Sequence, residues 1–405
     1  MASLMKSSKR VSEAIDELLS RGVTEIIDRT HLRKVLLAGK PLRIKLGIDP
    51  TGPRIHLGNA VIIRKLRDFQ RLGHKAVFIV GDFTAQIGDP SDKLAKRPML
   101  TALEVKANLK SYRDQLSKII DLSRAEFVFN SRWLSKLTFK EVALLAETFT
   151  VQQMLARRNF KERYEKGTEI SIREFLYPLM QGYDSVEVKA DVEIGGFDQL
   201  FNVMAGRTIQ QFYGQKPQDI LTGEMLEGTD GRKMSKSWGN VINITDEPND
   251  MFGKVMSVRD DLIIKYFTLT TDASLEEIKA IEKGLKTGKL NPRDAKARLA
   301  REIVSLYHGD AAAKKAEAEF DKVFRTKGLP SEIKTKKLTK PVFELAELLV
   351  ATRLAKSKSE AARLIGQGGV KIDGIEQSDF REKISLSKEG VLIQVGKRNF
   401  LRVSF

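Results

Sequence analysis

Residues 42–59 read LRIKLGIDPTGPRIHLGN, and this stretch decides the fold. Its apolar first part, Leu42 to Ile48, predicts a strand, and the Pro- and Gly-rich segment from Asp49 to Pro53 predicts a turn. A helix-periodic pattern follows from Ile55 to Leu72, and Ala76 to Val80 predicts a second strand. A strand, a helix and a strand in this order form a βαβ unit. The sequence therefore predicts an α/β domain with a parallel sheet.

The start of this helix is a candidate phosphate site. His56, Gly58 and Asn59 fall where free backbone N–H groups and the helix dipole favour an anion. Gly58 allows a nucleotide to approach the backbone closely. Taken alone, His56 is better explained as a buried or helix-capping histidine than as a nucleotide ligand, and the HxGN motif by itself is a weak signal.

Beyond the βαβ unit the pattern of the chain changes twice. An amphipathic helix is predicted near the N-terminus, from Leu4 to about Arg21. Further helices are predicted over 102–122, 139–156 and 172–183, and an extended run over 186–194 leads into Gly195-Gly196. The predicted regions are an α/β domain over 1–245, an all-α domain over 246–328, a basic linker containing KTKKLTK over 329–340, and a small α+β domain over 341–405.

Composition limits the possible partners. The 405 residues include 70 Lys and Arg against 53 Asp and Glu, and the net charge of +17 favours a polyanion, RNA or DNA before a membrane. There is no cysteine, and the four histidines are too far apart in sequence for a local metal motif, so we expect no dedicated metal site. The sequence has no signal-peptide pattern and no membrane-spanning run, which favours a cytoplasmic protein.

A second motif, Lys233-Met234-Ser235-Lys236-Ser237, follows the stretch GTDGR. Two lysines three residues apart in a short loop would place two cations around a triphosphate. There they would stabilise the charge that develops as pyrophosphate leaves. The alternative is a solvated basic loop, and the first motif in the same chain favours the phosphate interpretation.

A third pattern lies on one predicted helix. Tyr177, Gln181 and Asp184 are spaced at i, i+4 and i+7, so a phenol, an amide and a carboxylate share one face. These groups would converge on one polar ligand. A pocket that hydrogen-bonds a hydroxyl group rejects the analogue without it by roughly 10⁴ to 10⁵. The alternative is an amphipathic helix whose polar face meets solvent.

These motifs resemble those of the class I aminoacyl-tRNA synthetases, with HLGN at 56–59 as the variant of the HIGH motif and KMSKS intact. Three further stretches resemble signatures of the tyrosyl-tRNA synthetase family, in the bacterial branch with a C-terminal S4 domain. They are GDFTAQIGDPS (Gly81–Ser91), LYPLMQGYDS (Leu176–Ser185) and GGFDQ (Gly195–Gln199). The resemblance covers nearly the whole chain. It implies a Rossmann-like catalytic domain, a helical anticodon-binding domain and an S4 RNA-binding domain.

The resemblance also implies a reaction and its partners. Tyrosine and ATP would form tyrosyl-adenylate and pyrophosphate, and the tyrosyl group would pass to the 3′ end of tRNA(Tyr). Mg²⁺ would accompany ATP, and the protein would be a homodimer without DNA or membrane partners.

The residues that the resemblance implies form three groups. Those for tyrosine are Asp89, Tyr177, Gln181, Asp184 and Gln199, with Tyr177, Gln181 and Asp89 on the ammonium and Asp184 on the phenolic hydroxyl. Those for the nucleotide are Gly47, Asp49, His56, Gly58, Asn59, Gly196, Asp198, Lys233, Lys236 and Ser237. Those for catalysis are Thr51, His56, Asn59, Lys93, Arg97, Lys233 and Lys236.

Several residues depart from the family pattern. Asn59 replaces the second His of HIGH and cannot carry a charge. Phe197 stands where relatives often have Ser or Thr, and Asp92 replaces a common Gly. Lys45 stands near the position where another branch of the family places a phenol-binding Tyr. The second contact to the substrate hydroxyl is therefore unassigned.

The C-terminal region gives an independent indication of RNA binding. Ser357 and Glu360 form a capping-box pattern before a helix that stops at Gly366, and Asp373-Gly374 is a type I′ hairpin signal. Residues 357–374 resemble the S4 motif, and a generic small α+β domain is the alternative. The resemblance implies phosphate contacts for Lys356, Lys358, Arg363 and Lys371.

Two other functions stay open at this point. One is tryptophan activation, because that sister family shares the fold and a similar helix; the pattern from Gln181 to Ser185 and the S4 domain argue against it. The other is an RNA-binding protein without catalysis, suggested by Asn59 and the basic tail. The intact KMSKS motif, Asp184 and Gln199 argue against this second function.

Overall fold

The computed structural model describes residues 2–91, 99–235, 238–324, 333–396 and 399–405. The chain divides into two compact units, of which the first comprises 1–247 and 254–309 and the second 248–253 and 310–405. The helices between 254 and 309 therefore lie with the first unit, whereas the sequence assigns them to a separate all-α domain. Arg21 explains part of this grouping, since its guanidinium donates to the carbonyl oxygens of Thr268 and Thr271 at 2.8 and 2.9 Å.

The first unit is built on a six-stranded sheet of order β1-β6-β5-β2-β3-β4, in which β1 is antiparallel to β6 and the other pairs are parallel. Its strands are β1 (Val23–Ile27), β2 (Arg43–Ile48), β3 (Lys75–Val80), β4 (Ala125–Phe129), β5 (Val192–Gly196) and β6 (Asp219–Gly223). The predicted βαβ unit and the α/β class are confirmed, because β2 and β3 pair in parallel along their whole lengths.

Helices surround this sheet. They are α1 (Ala2–Leu18), α2 (Arg29–Leu37), α3 (Leu57–Arg71), α4 (Thr84–Ile87), α5 (Ala102–Leu109), α6 (Tyr112–Ser117), α7 (Ser131–Leu134), α8 (Phe139–Ala146), α9 (Val151–Leu155), α10 (Arg158–Glu165), α11 (Ile172–Glu187) and α12 (Leu200–Phe212). Then follow α13 (Pro248–Met256), which spans the border of the two units, α14 (Ile263–Thr270), α15 (Leu275–Lys286) and α16 (Pro292–His308). Helix α3 packs on β2, β3, β5 and β6, and α12 packs on β5, β6 and α11.

Three predicted elements of this unit are wrong in their bounds. The extended run predicted over 186–194 begins as helix, because α11 continues to Glu187 and buries Val186 against Leu179 and Ile209. Burial on a helical face here overrides the β propensity of valine. The helix predicted over 102–122 is divided into α5 and α6, and the one over 139–156 into α8 and α9. Thr150 starts α9 with a capping box.

The described residues of the second unit form two small sheets and three helices, besides part of α13. Its elements are α17 (Asp310–Phe324), β7 (Lys334–Lys337), β8 (Val342–Glu344), α18 (Leu345–Ala351), α19 (Lys358–Gly366), β9 (Val370–Ile372), β10 (Ile375–Glu376), β11 (Lys383–Ser385), β12 (Val391–Val395) and β13 (Asn399–Ser404). The strand orders are β10-β9-β12-β13-β7 and β11-β8. Asp373 and Gly374 have φ values of 47° and 87°, so the hairpin predicted there is confirmed.

One part of the predicted basic linker is structured. Residues 334–337 form β7, which pairs in parallel with β13, although the sequence predicts a linker over 329–340. The lysines do not prevent this, because backbone groups make the ladder and long side chains can extend to solvent. Lys336 Nζ also donates to the carbonyl oxygen of Ala351 at 2.8 Å.

Candidate active site

A cavity of about 920 Å³ lies at the carboxyl ends of β2, β3 and β5. The strand order reverses between β2 and β5, because β3 follows β2 on one side and β6 follows β5 on the other. Open α/β sheets bind ligands at such a point. Asp49, Gly81 and Gly196 come from these strand ends and line the cavity. A side chain at Gly81 would collide with the Asp49 carboxylate, so the close approach of the two strand ends requires glycine there.

The HLGN segment lies at one wall of this cavity. His56 is the N-cap of α3, and its Nδ1 accepts from the backbone N–H of Asn59 at 3.3 Å. The capping interpretation is thereby confirmed, and His56, Gly58 and Asn59 also line the cavity. The Gly58 N–H is directed at Met234 Sδ, 3.4 Å away, so the first motif touches the second.

The described part of the KMSKS segment is held by a buried amide. Asn240 Oδ1 accepts from the Ser235 N–H at 2.8 Å, and Asn240 Nδ2 donates to the Lys233 carbonyl at 3.1 Å. Lys233 Nζ forms an ion pair with Asp198 Oδ2 at 3.2 Å, at the edge of the cavity. Lys233 and Asp198 therefore belong to one site, as the resemblance implies. Lys236 and Ser237 lie outside the described residues.

The polar face predicted on one helix is the face of α11 that points into the cavity. Tyr177, Gln181 and Asp184 all line it, so the alternative of a solvent-facing helix is wrong. The Tyr177 hydroxyl donates to Asp49 Oδ2 at 2.8 Å, and Thr84 donates to Asp49 Oδ1 at 2.7 Å. This places Asp49 beside the α11 face, although the resemblance assigns it to the nucleotide.

Asp184 is the most deeply buried carboxylate of the cavity wall. Trp133 Nε1 donates to its Oδ1 at 2.7 Å, and Asn130 Nδ2 donates to its Oδ2 at 3.3 Å. Burial raises the pKa of Asp184 to about 7, against the opposing effects of the Lys45 charge and of these two hydrogen bonds. The carboxylate is therefore an acceptor whose charge changes near neutral pH.

Asp89 and Gln199 form a second polar group of the same cavity. Gln199 Nε2 donates to Asp89 Oδ2 at 2.8 Å, and the Ser91 N–H donates to Asp89 Oδ1 at 2.9 Å. Asn202 Nδ2 donates to Gln199 Oε1 at 3.0 Å, which orients the Gln199 amide. The Asp89 carboxylate and the Gln199 amide are therefore both held in place at the cavity wall.

The remaining implied residues divide by location. Gly47, Thr51 and Gly196 also line the cavity. Lys93 and Arg97 lie outside the described residues, so their predicted place in the site stays a prediction. The four implied RNA contacts are in the second unit: Lys358 and Arg363 on α19, Lys356 just before it and Lys371 on β9. Lys356, Lys358 and Arg363 are exposed.

Sequence reasoning did not identify several residues that shape the cavity. Trp133 and Asn130 follow β4, and only the pairing of β4 with β3 brings them to Asp184. No motif marks either residue. The sequence places Lys45 near a phenol-binding position, but the buried ion pair of Lys45 with Glu193 is visible only in the structure.

Known proteins identify the family. Residues 37–325 match the family model for class I tRNA synthetases (W and Y), and residues 320–403 match the model for the SYY-like C-terminal domain of tyrosine–tRNA ligase. The chain therefore belongs to the class I tRNA synthetases of the tryptophan and tyrosine group.

Three similar proteins are tyrosine members of this group. The tyrosine–tRNA ligase of Carboxydothermus hydrogenoformans is 49% identical over 399 residues, 96% of this chain and 97% of that protein. The ligase of Thermotoga maritima is 49% identical over 389 residues, 96% of each chain. A C-terminally truncated mitochondrial tyrosyl-tRNA synthetase of Coccidioides posadasii superposes with a TM-score of 0.62 at 26% identity, covering 78% of this chain and 96% of that chain.

Neither a metal cluster nor a membrane-spanning helix is found in the described part of the chain. No group of three or more His, Cys, Asp or Glu in this part of the chain is arranged to hold a metal ion. No helix among the same residues has the length and apolarity needed to cross a membrane.

The environment of Asp184 leads to a first prediction. Trp133→Phe keeps an aromatic ring but removes the N–H donor, so the ionised carboxylate is less stabilised and the pKa of Asp184 should rise above about 7. Carboxyl ¹³C NMR titration of labelled protein measures this. Trp238→Phe is the control, since Trp238 is half exposed and should leave the pKa unchanged. An equal pKa in wild type and Trp133→Phe would contradict the assignment.

Proposed function

We propose that this chain activates L-tyrosine with ATP and transfers the tyrosyl group to the 3′ end of tRNA(Tyr). The observation that carries the proposal is the buried Asp184 carboxylate at the end of a cavity that also contains Tyr177, Gln181 and Asp89. The family model for the tyrosine and tryptophan group and the 49% identical tyrosine–tRNA ligases support the same activity.

The polar groups of the cavity suit the three polar ends of tyrosine. Asp184 accepts from the phenolic hydroxyl, and a buried acceptor left unpaired disfavours phenylalanine. Tyr177, Gln181 and Asp89 bind the ammonium through their oxygens. Gln199 serves the carboxylate. The network around Asp89 and Asp184 supports these roles, because its donors fix the acceptors before any ligand binds.

Activation needs positioning and charge stabilisation more than a protein nucleophile. The tyrosine carboxylate, already ionised, attacks the α-phosphorus of ATP, an O–P bond forms, and the bond to pyrophosphate breaks. Lys233 and Lys236, with His56 and Thr51, stabilise the charge that moves onto pyrophosphate. Asn59, Lys93 and Arg97 assist. The Lys233–Asp198 ion pair supports this, because a phosphate group can replace Asp198 as the partner of an ammonium that is already at the site.

The nucleotide is held by the start of α3 and the carboxyl end of β5. Gly47, Asp49, Gly58, Gly196, Asp198 and Ser237 make up this half of the site together with the catalytic residues. Asp198 accepts from the ribose hydroxyls. Mg²⁺ enters with ATP as part of the substrate, since phosphates and water satisfy its preference for oxygen ligands.

tRNA contacts extend beyond this cavity. We assign anticodon binding to the helical region 246–328 and RNA binding to the S4 domain 341–405. Lys356, Lys358, Arg363 and Lys371 contact phosphates. The net charge of +17 supports an RNA partner, and charging of tRNA for translation places the protein in the cytoplasm.

We also propose that the protein is a homodimer, formed through the region around α5, α8 and α11. Phe139, Leu103 and Ile172 start these helices or lie within their first turn, and their residues are 92%, 80% and 78% exposed in the single chain. Large apolar side chains that are exposed in the single chain are candidates for burial in an interface.

Pyrophosphate exchange into ATP tests the activity. Exchange should require tyrosine and should not occur with tryptophan, with phenylalanine or without an amino acid. Lys233→Ala should lower kcat about 10²- to 10³-fold, because one donor to the developing charge is lost. Lys279→Ala, which removes an exposed lysine of α15, should be as active as wild type. Exchange with tryptophan alone would refute tyrosine as the substrate. A Lys233→Ala variant as active as wild type would refute the proposed mechanism.

The pKa of Asp184 predicts how tyrosine affinity depends on pH. Only the ionised carboxylate is a pure acceptor for the phenolic hydroxyl, so the affinity is highest above the pKa of about 7 and falls as the pH drops through it. Well below this pKa the dissociation constant should rise by about tenfold per pH unit. Calorimetric titration on both sides of neutrality measures the profile. Asp184→Asn should bind weakly with a flat profile, and a wild type with the same flat profile would contradict the role of Asp184.

Sedimentation equilibrium tests the dimer. The wild type should sediment with twice the mass of one chain, and Phe139→Asp should shift it toward one chain because a charge would be buried in the interface. Ile375→Asp is the matched control, since Ile375 is 69% exposed in the second unit. A monomeric wild type, or equal effects of the two variants, would refute the proposed interface.

A further inference from the structure

A buried ion pair lies directly behind the α11 face of the cavity. Lys45 Nζ is 3.0 Å from Glu193 Oε1, and the two side chains are 0% and 1% exposed. Neither residue is among the described residues that line the cavity. Two charges at this depth require full hydrogen bonding to be tolerated, because each has lost its hydration.

The Lys45 ammonium bonds to groups inside the protein. Besides Glu193, its ammonium donates to the carbonyl oxygen of Gln181 at 2.7 Å and to Ser185 Oγ at 2.7 Å. Two hydrogen bonds and one ion pair thus engage the ammonium within the protein. Lys45 therefore does not supply the missing second contact to the substrate hydroxyl, although it stands near the place of a phenol-binding residue.

Glu193 is surrounded by donors. Its Oε1 is ion-paired with the Lys45 ammonium and accepts from Gln181 Nε2 at 3.1 Å. Its Oε2 accepts from Ser185 Oγ at 3.1 Å and from Gln218 Nε2. Three hydrogen-bond donors and one ammonium thus surround the carboxylate. In these surroundings Glu193 acts as an acceptor only.

Because Glu193 can only accept hydrogen bonds, it determines the orientation of the Gln181 amide. A carboxylate repels the amide oxygen and attracts the NH₂ group, so the atom facing Glu193 must be Nε2. The Gln181 amide oxygen, which is bonded to the same carbon as Nε2, therefore points away from Glu193. Because Gln181 lines the cavity, its oxygen is the amide atom available to a ligand there. An oxygen in that place accepts from an ammonium, whereas a reversed amide would repel it.

We propose that Glu193, held in its buried position by Lys45, is a positioning residue that fixes Gln181 with its oxygen toward the cavity. It thereby sets the affinity for the ammonium of the bound amino acid. This inference rests on the proposed function, because it takes the ligand of the cavity to be an amino acid. Lys45 and Glu193 touch no substrate in this arrangement; they act through Gln181.

Packing prevents the network from adopting another arrangement. The Cα of Gly206 on α12 lies against it, and a Cβ there would be 2.8 Å from Ser185 Oγ and 3.1 Å from Glu193 Oε2. Glu193, Ser185 and Gln218 therefore fill the space up to the backbone of α12. The orientation of Gln181 is fixed before the ligand arrives, which lowers the entropic cost of binding.

The decisive experiment compares two ligands that differ only in the ammonium. Equilibrium binding of L-tyrosine and of desaminotyrosine is measured by calorimetry with the full-length protein. The first variant is Lys45→Met with Glu193→Met, because apolar residues of similar size commonly replace a buried ion pair without loss of folding. Tyrosine affinity should fall roughly tenfold or more, about the effect of losing one hydrogen bond to a charged group. Loss of the Lys45 charge also acts on Asp184 and so weakens both ligands through their shared phenol, so the readout is the ratio of the two affinities, which should fall roughly tenfold.

Two further variants separate positioning from general damage. Glu193→Gln keeps a side-chain oxygen that the Lys45 ammonium attracts to the position of Glu193 Oε1. This variant should therefore preserve most of the preference for tyrosine over desaminotyrosine. Arg163→Met with Glu174→Met removes another buried pair, 1% and 2% exposed, whose members do not line the cavity. This control should keep the wild-type ratio of the two affinities.

The outcomes are distinguishable. An unchanged ratio in the Lys45 and Glu193 double variant would overturn the proposal. Equal losses for both ligands, or the same collapse in the Arg163 and Glu174 control, would also overturn it, because they indicate general damage to the pocket. Wild-type protein that binds tyrosine no better than desaminotyrosine would refute the amino-acid pocket itself, and the proposed function with it.

Discussion

Parallel pairing of β2 with β3 on one side and with β5 on the other is the constraint on which the site depends. Parallel strands end at one edge of the sheet, so residues far apart in sequence, such as Asp49 and Gly196, reach the same cavity. The reversal of strand order opens the space between them. Tyr177 and Asp184 can be useful only because α11 packs on α12, which covers β5 and β6 beside that opening.

The same packing explains why charged groups lie in the interior. Lys45 is on the central strand β2, where an apolar residue is the usual occupant, and Glu193 is on the neighbouring β5. Parallel pairing places Lys45 opposite Glu193 in register. The Lys45 and Glu193 charges would each be costly to bury alone, and the sheet register makes them partners. Helix α11 supplies the two other acceptors of Lys45, the Gln181 carbonyl oxygen and Ser185 Oγ.

How much of this follows from sequence depends on the range of the interactions. The strand, turn and helix from 42 to 72 are encoded locally by periodicity and by Gly and Pro, so they could be predicted, as could the Asp373-Gly374 hairpin. The strands β1, β4 and β6 are five residues each, and their patterns are too short to distinguish from loops. Trp133 reaches Asp184 only through the pairing of β3 with β4, a contact that no local pattern encodes.

The two halves of the site differ in a way that matches the tasks we propose for them. Selection of one amino acid requires acceptors that cannot adjust to a wrong ligand, and Asp184 meets this need because it is buried and bonded to Trp133 and Asn130. Charge stabilisation on a leaving group requires cations that change partners, and Lys233 is partly exposed and already paired with Asp198. An ion pair at the surface is weak, so a phosphate with its higher charge can replace the carboxylate at little cost. In the reaction we propose, the cavity therefore combines rigid recognition at Asp184 with an exchangeable ion pair at Lys233.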